Sequence, residues 1–147
     1  MMRVLGLDVG EKRIGIALSD ALGWTAQGLE TYNRRGEAQD CAYIKNLVEQ
    51  NLVQACVVGL PRNMDGSLGP QAKYVQAFAE TLKSYVSIPI EFWDERLSTA
   101  AARRTLLEAD VSRKKRKLVI DKMAAVHILQ GYLDRISADE RENRNGR

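Results

Sequence analysis

A chain of 147 residues is the size of one α/β domain, and its 45% hydrophobic and 28% charged content suits a soluble protein with a buried core. No apolar run approaches the roughly 20 residues of a membrane span, and Asp8 comes too early for a secretory leader, so no membrane partner is expected. The net charge of +3 is small, but seven Lys/Arg against Glu108 and Asp110 gather between residues 103 and 117, which suits a surface facing a polyanion.

In chain order, residues 3–9 read as a short apolar strand, Gly10-Glu11-Lys12 as a turn, and residues 13–19 as an alternating second strand. Residues 25–32 make a third strand after Gly23. Residues 38–51 carry Cys41, Ile44, Leu47 and Val48 at helical spacing. Residues 55–60 are continuously apolar, as in a parallel sheet, and Pro61 ends them ahead of a polar loop at 62–67. A second helix is expected over 70–85, a last strand over 88–93, a third helix capped by Ser98 and running through 108, and a fourth over 118–136. Residues 139–147 lack apolar side chains and are expected to be disordered, leaving 1–138 as a single domain. The order βββαβαβαα reads as an α/β protein with a mixed sheet and helices on both faces, an arrangement that resembles the ribonuclease H-like fold. Cys41 and Cys56 have no metal-ligand spacing and sit in apolar patterns, as reduced core thiols of a reducing compartment do.

Three acidic positions carry the chemistry. Asp8 ends the first strand, and Gly10 just after it permits a tight turn where a phosphate or metal can approach. It is equally compatible with a simple turn-starting aspartate. Asp121 lies within about 40° of Ala125, Ile128 and Tyr132 on a helical wheel. Its carboxylate therefore points into an apolar face, where it needs a cation, a proton or a metal. The competing role is an ion pair with the basic run before it. Ala124 and Ala125 keep that helix slim against the sheet. Asp94 and Glu95 end the last strand, and alternation there does not choose between them. Hard oxygen ligands from three separate elements suit Mg²⁺ or Mn²⁺.

Leu7-Asp8-Val9-Gly10 with Arg13-Ile14-Gly15, Gly59-Leu60-Pro61 with Asp65-Gly66-Ser67, Asp94 through Thr99, and Asp121 with Ala124-Ala125 together resemble the YqgF/RuvX family. The blocks occur in family order and span roughly residues 3 to 130. The resemblance implies a ribonuclease H-like fold similar to Holliday junction resolvases of the RuvC type. It implies Asp8, Glu95 and Asp121 as the catalytic and metal-binding set, with Asp94 as the substitute for Glu95. It also implies a bacterial cytoplasmic nuclease maturing the 5′ end of pre-16S ribosomal RNA, or a resolvase of four-way DNA junctions.

Arg62 and the loop to Ser67 are candidates for phosphate contact through backbone N–H groups, or else an ordinary strand-to-helix connection. The run Arg113, Lys114, Lys115, Arg116 and Lys117, read as a loop ahead of the last helix, is a candidate for sequence-independent binding of structured RNA or branched DNA. His127, the one histidine, reads as a packing or surface residue. Two other functions compete: a nucleotide-binding lobe of the sugar-kinase type, for which the chain is short, and a non-catalytic nucleic-acid-binding module. Monomer and homodimer both remain open.

Overall fold

The computed structural model describes residues 3–94 and 113–145. Strands β1 (Val4–Val9), β2 (Arg13–Ser19) and β3 (Ala26–Asn33) follow one another antiparallel. Helix α1 (Glu37–Gln50) leads to β4 (Ala55–Leu60), α2 (Pro70–Lys83) leads to β5 (Ile90–Asp94), and α3 (Arg113–Asn145) is the last described element. The five strands form one sheet in the order β3-β2-β1-β4-β5, with β4 parallel to both β1 and β5. This is the mixed sheet that the sequence predicts. The helix expected over 98–108 lies outside the described residues.

Strand alternation divides the core in two. Leu5, Leu7 and Val9 of β1, Ile14 and Ile16 of β2, and Cys56, Val58 and Leu60 of β4 pack under Cys41, Ile44 and Val48 of α1 and Val75, Phe78 and Leu82 of α2. Val4, Ala17, Ala55 and Val57 point the other way and meet Ala125, Ile128, Leu129 and Leu133 of α3. β4 is buried along its whole length because helices cover both of its faces. Cys41 and Cys56 are buried free thiols. Burial pushes Cys56 up to about 12, and burial with Glu37 and Asp40 nearby pushes Cys41 up to about 11, so both stay protonated at neutral pH.

Three boundaries differ from expectation. β5 starts at Ile90 because Pro89 has no N–H to donate, although its carbonyl accepts the Cys56 N–H at 2.9 Å. The basic run 113–117 is not a loop but the first five residues of α3; Lys and Arg are good helix formers and no Gly or Pro separates them from residue 118. The polar stretch 139–147, expected to be disordered, belongs to α3 as far as Asn145. Among the described residues, no helix is long and apolar enough to cross a membrane.

Candidate metal and nucleic-acid site

Asp8 is the next-to-last residue of β1. Because Leu7 and Val9 enter the core under α1 and α2, Asp8 faces the α3 side, on the same strand row as Gly6 and Val4. It pairs across β2 with Gly15. On its other side, the pairing of Leu7 with Val58 brings Gly59 alongside. The half-buried carboxylate therefore stands between two strand neighbours without side chains.

The turn after Asp8 is held on both sides. The Gly10 N–H donates to the Arg13 carbonyl at 2.8 Å, and a Cβ at Gly10 would come within 2.9 Å of that same oxygen, so the turn needs glycine. From the α1 side, the Arg34 guanidinium donates to the Gly10 carbonyl at 3.0 Å. Arg34 is fixed in turn by Asp40, Nε to Oδ2 at 2.8 Å, and it lies over the rings of Phe78 and Tyr74 at 5.0 and 5.4 Å from their centroids. Asp40 is fully buried. Burial alone raises a carboxyl pKa, but the Arg35 N–H at 2.9 Å, the Arg34 guanidinium and the Tyr32 hydroxyl outweigh it and hold Asp40 below its ordinary value.

Arg34 and Asp40 are absent from the candidates drawn from sequence. The signal was present for Asp40: it shares a helical row with Ile44 and Leu47, the same pattern that singles out Asp121. The tyrosine groove between β3 and α1 is a different feature. Tyr32 and Tyr43 stack there at 4.3 Å, but their hydroxyls are engaged by Asp40 and Glu30, on the sheet face away from Asp8.

Asp94 pairs with Leu60 at the end of β5. Ile90 packs under α1 and α2 whereas Trp93 packs against α3, so Asp94 falls on the opposite face of the sheet from Asp8. Glu95 lies outside the described residues. Asp121 belongs to α3, one turn before Ala125, in the helical row continued by Ile128 and Tyr132. Ala125 and Ile128 are fully buried on the sheet. The placement of the Asp121 side chain lies outside the described residues. The close approach expected from Ala124 and Ala125 is present: a Cβ on Gly6 would meet Leu129 Cβ at 2.8 Å and the Ala125 carbonyl at 3.2 Å. Helix α3 thus lies directly on β1, two residues from Asp8. Among the described residues no group of three side chains that could hold a metal is found, Glu95 and the Asp121 side chain lying outside what is described.

Several donors of the loop 62–67 are bonded within it. The N–H groups of Asn63 and Gly66 bond to Ser67 and Asn63 carbonyls at 2.9 and 2.8 Å, and the Ser67 N–H bonds to Asp65 Oδ1 at 2.9 Å. The Arg62 guanidinium reaches the Gly66 carbonyl at 3.3 Å. The residues Arg113 to Lys117 are the first described residues of α3, with no acidic residue among the first turn described. His127 is half-buried on α3 beside Val126 and Ile128.

The fold is similar to that of solved resolvases. RuvC of T. thermophilus in complex with a Holliday junction substrate superposes with a TM-score of 0.58 at 12% identity, covering 93% of this chain and 97% of that one. The fowlpox virus Holliday junction resolvase gives a TM-score of 0.56 at 13% identity over 92% of this chain and 99% of its own. Two much closer relatives, from Moorella thermoacetica and Halalkalibacterium halodurans, each carry the name "Putative pre-16S rRNA nuclease". The first is 62% identical over 92% of this chain and 96% of its own, and the second 62% over 91% and 97%. The family model RuvX, described as Holliday junction resolvase, matches residues 2–135. With a ribonuclease H-like sheet and a match over nearly its whole length, this chain belongs to the RuvX family.

Proposed function

We propose that this protein is a cytoplasmic nuclease that hydrolyses phosphodiester bonds in the precursor of 16S ribosomal RNA, and that Asp8, Glu95 and Asp121 hold its divalent metal. The observation that carries the proposal is Asp8: a half-buried carboxylate at the C-terminal end of β1, on the face covered by the helix that bears Asp121, between glycine neighbours on both adjoining strands. Glu95 is preferred to Asp94 because the strand directs Asp94 to the far face. Nucleases of this fold use divalent metal, and an all-carboxylate set of hard oxygens fits Mg²⁺ or Mn²⁺ better than zinc. Bound there, such metal lowers the pKa of an attacking water and offsets charge on the leaving oxygen.

The remaining work falls to the chain itself. The Asp8 backbone is anchored in the middle strand of the sheet, and Arg34 with Gly10 holds the turn behind it. Arg62 and the cations from Arg113 to Lys117 supply attraction for the phosphate backbone, with the chain acting through residues 1–138 as one nuclease domain. A second reading, resolution of four-way DNA junctions, draws on the fold shared with the RuvC complex. It requires a homodimer, because a two-fold junction needs paired active sites, whereas RNA cleavage is open to a monomer.

The deciding experiment sets labelled pre-16S RNA beside a four-way DNA junction, with Mg²⁺ and Mn²⁺ in turn. Cleavage of the RNA at its 5′ side, lowered at least about 100-fold by D8N and by D121N with unchanged folding, is the expected result. Full activity in both variants would remove these residues from the site, and cleavage of the junction alone would transfer the substrate to DNA.

A further inference from the structure

β3 is an edge strand, and it runs in the same direction as β1 because each pairs antiparallel with β2. Its last residues therefore lie at the same end of the sheet as Asp8. The register gives the separation: Asp8 pairs with Gly15, and Gly15 with Thr31, two strand spacings or about 10 Å. Between this end of β3 and α1 lies a groove of about 590 Å³, within the range of small-molecule sites.

The lining of the groove combines aromatic rings with amides and charge. Tyr32 and Tyr43 both line it, half-buried and stacked with 16° between their ring planes. Their hydroxyls are committed, one to Asp40 and the other to Glu30, which holds the rings in place and leaves π-surface as what they offer a ligand. Burial and Glu30 push Tyr43 up to about 12, so its hydroxyl brings no charge at neutral pH. Asn33, Gln39 and Asn46 are exposed amides that can both donate and accept. Arg35 adds a cation to the lining. Its N–H donates to Asp40 Oδ1 at 2.9 Å, which fixes the backbone from which its exposed side chain starts.

We propose that this groove binds an unpaired nucleotide of the strand cut at Asp8, its base packed on the tyrosine pair and its phosphate drawn to Arg35. This inference rests on the nuclease reading of the Asp8 end. Base–aromatic contact tolerates any sequence because every base has a π-face, and amides beside it can read a base edge. Bases inside a duplex are already stacked and paired, so only an unpaired flank can enter. The groove and Asp8 lie on opposite faces of the sheet, and the strand passes between them around the edge at β3. The occupant is a nucleotide and not an apolar protein side chain, because amide and charged groups surround the rings.

The test measures binding of full-length protein carrying D8N, so that nothing is cleaved, to two forms of one pre-16S RNA fragment. One form has an unpaired flank beside the cut site; in the other a complementary strand pairs that flank. The unpaired form is expected to bind more tightly. Adding Y43L, which keeps apolar volume but removes the ring, should weaken binding of the unpaired form about 5-fold or more. Binding of the paired form should stay unchanged, which also reports that the variant is folded. Y43F, which keeps the ring and loses only the Glu30 contact, should bind both forms as the parent does. R35Q should make log affinity for the unpaired form fall less steeply with log salt, by about 0.7 for one phosphate. Equal affinity for the two forms, an equal effect of Y43L on both, or an unchanged slope in R35Q would overturn the proposal. Failure of the nuclease reading appears separately, as no metal-dependent cleavage by the wild-type protein, because these titrations read binding alone.

Discussion

Asp40 shows how a single residue away from the chemistry can govern the site. Its carboxylate has no exposed surface and its counter-charge Arg34 is only 11% exposed, so removing either partner leaves the other charge buried without it. D40A leaves the guanidinium buried without a partner and should cost about 3–5 kcal/mol in urea denaturation at neutral pH, whereas D40N, which keeps an acceptor for the Arg35 N–H, should cost less. The pH dependence follows from the depressed carboxyl pKa. The stabilisation is fully present above the unfolded value near about 3.9 and is lost as pH falls through the lower folded value. The wild type should therefore lose more stability than D40N between pH 7 and pH 3. Equal losses would mean that Asp40 is not the acid-sensitive group. Because Arg34 also braces the Gly10 carbonyl, these variants should loosen the turn beside Asp8 as well.

At the scale of elements, the decisive packing is that of α3 against β1. Gly6 exists where it does because the helix backbone and Leu129 occupy the space a Cβ would need. G6A should cost about 1–3 kcal/mol, because neither the Ala125 carbonyl nor the Leu129 Cβ can move without displacing the helix. It should also reduce cleavage, because the displaced helix carries Asp121. Gly28 on β3 supplies the contrast: the three atoms nearest to a Cβ there all belong to the flexible Lys122 side chain, with Cγ at 2.7 Å. G28A should therefore cost clearly less than G6A, and equal costs in chemical denaturation would show that close approach at β1 is not what seats α3.

For the whole molecule, charge placement matters more than the net +3. Five successive cations on α3 oppose one another, an arrangement that a bound polyanion would relieve. Replacing Lys114, Lys115 and Arg116 with Gln should weaken binding of RNA and DNA alike. It should also make log affinity fall less steeply with log salt, by about 0.7–0.9 for each phosphate that the variant no longer neutralises. Titrations at several salt concentrations measure this directly, and an unchanged slope would move the binding surface elsewhere.

Sequence by itself determined the order of elements, because hydrophobic period and turn residues are local properties: β4 is legible in six apolar residues, and the turn at Gly10 in a glycine after a short strand. It also made Asp8 and Asp121 stand out, one by its strand end and one by its apolar helical row. Boundaries were less legible. A charged run such as 113–117 fits loop and helix equally until the helix after it is seen to begin earlier. Only tertiary structure decided which sheet face each carboxylate occupies, since a strand's two faces are equivalent until helices cover them. That is why Asp94 could be separated from Asp8 only after α3 was seated. The Arg34 bond to Gly10, 24 residues away, was invisible for the same reason: it depends on where β3 and α1 bring the chain back, not on any local pattern.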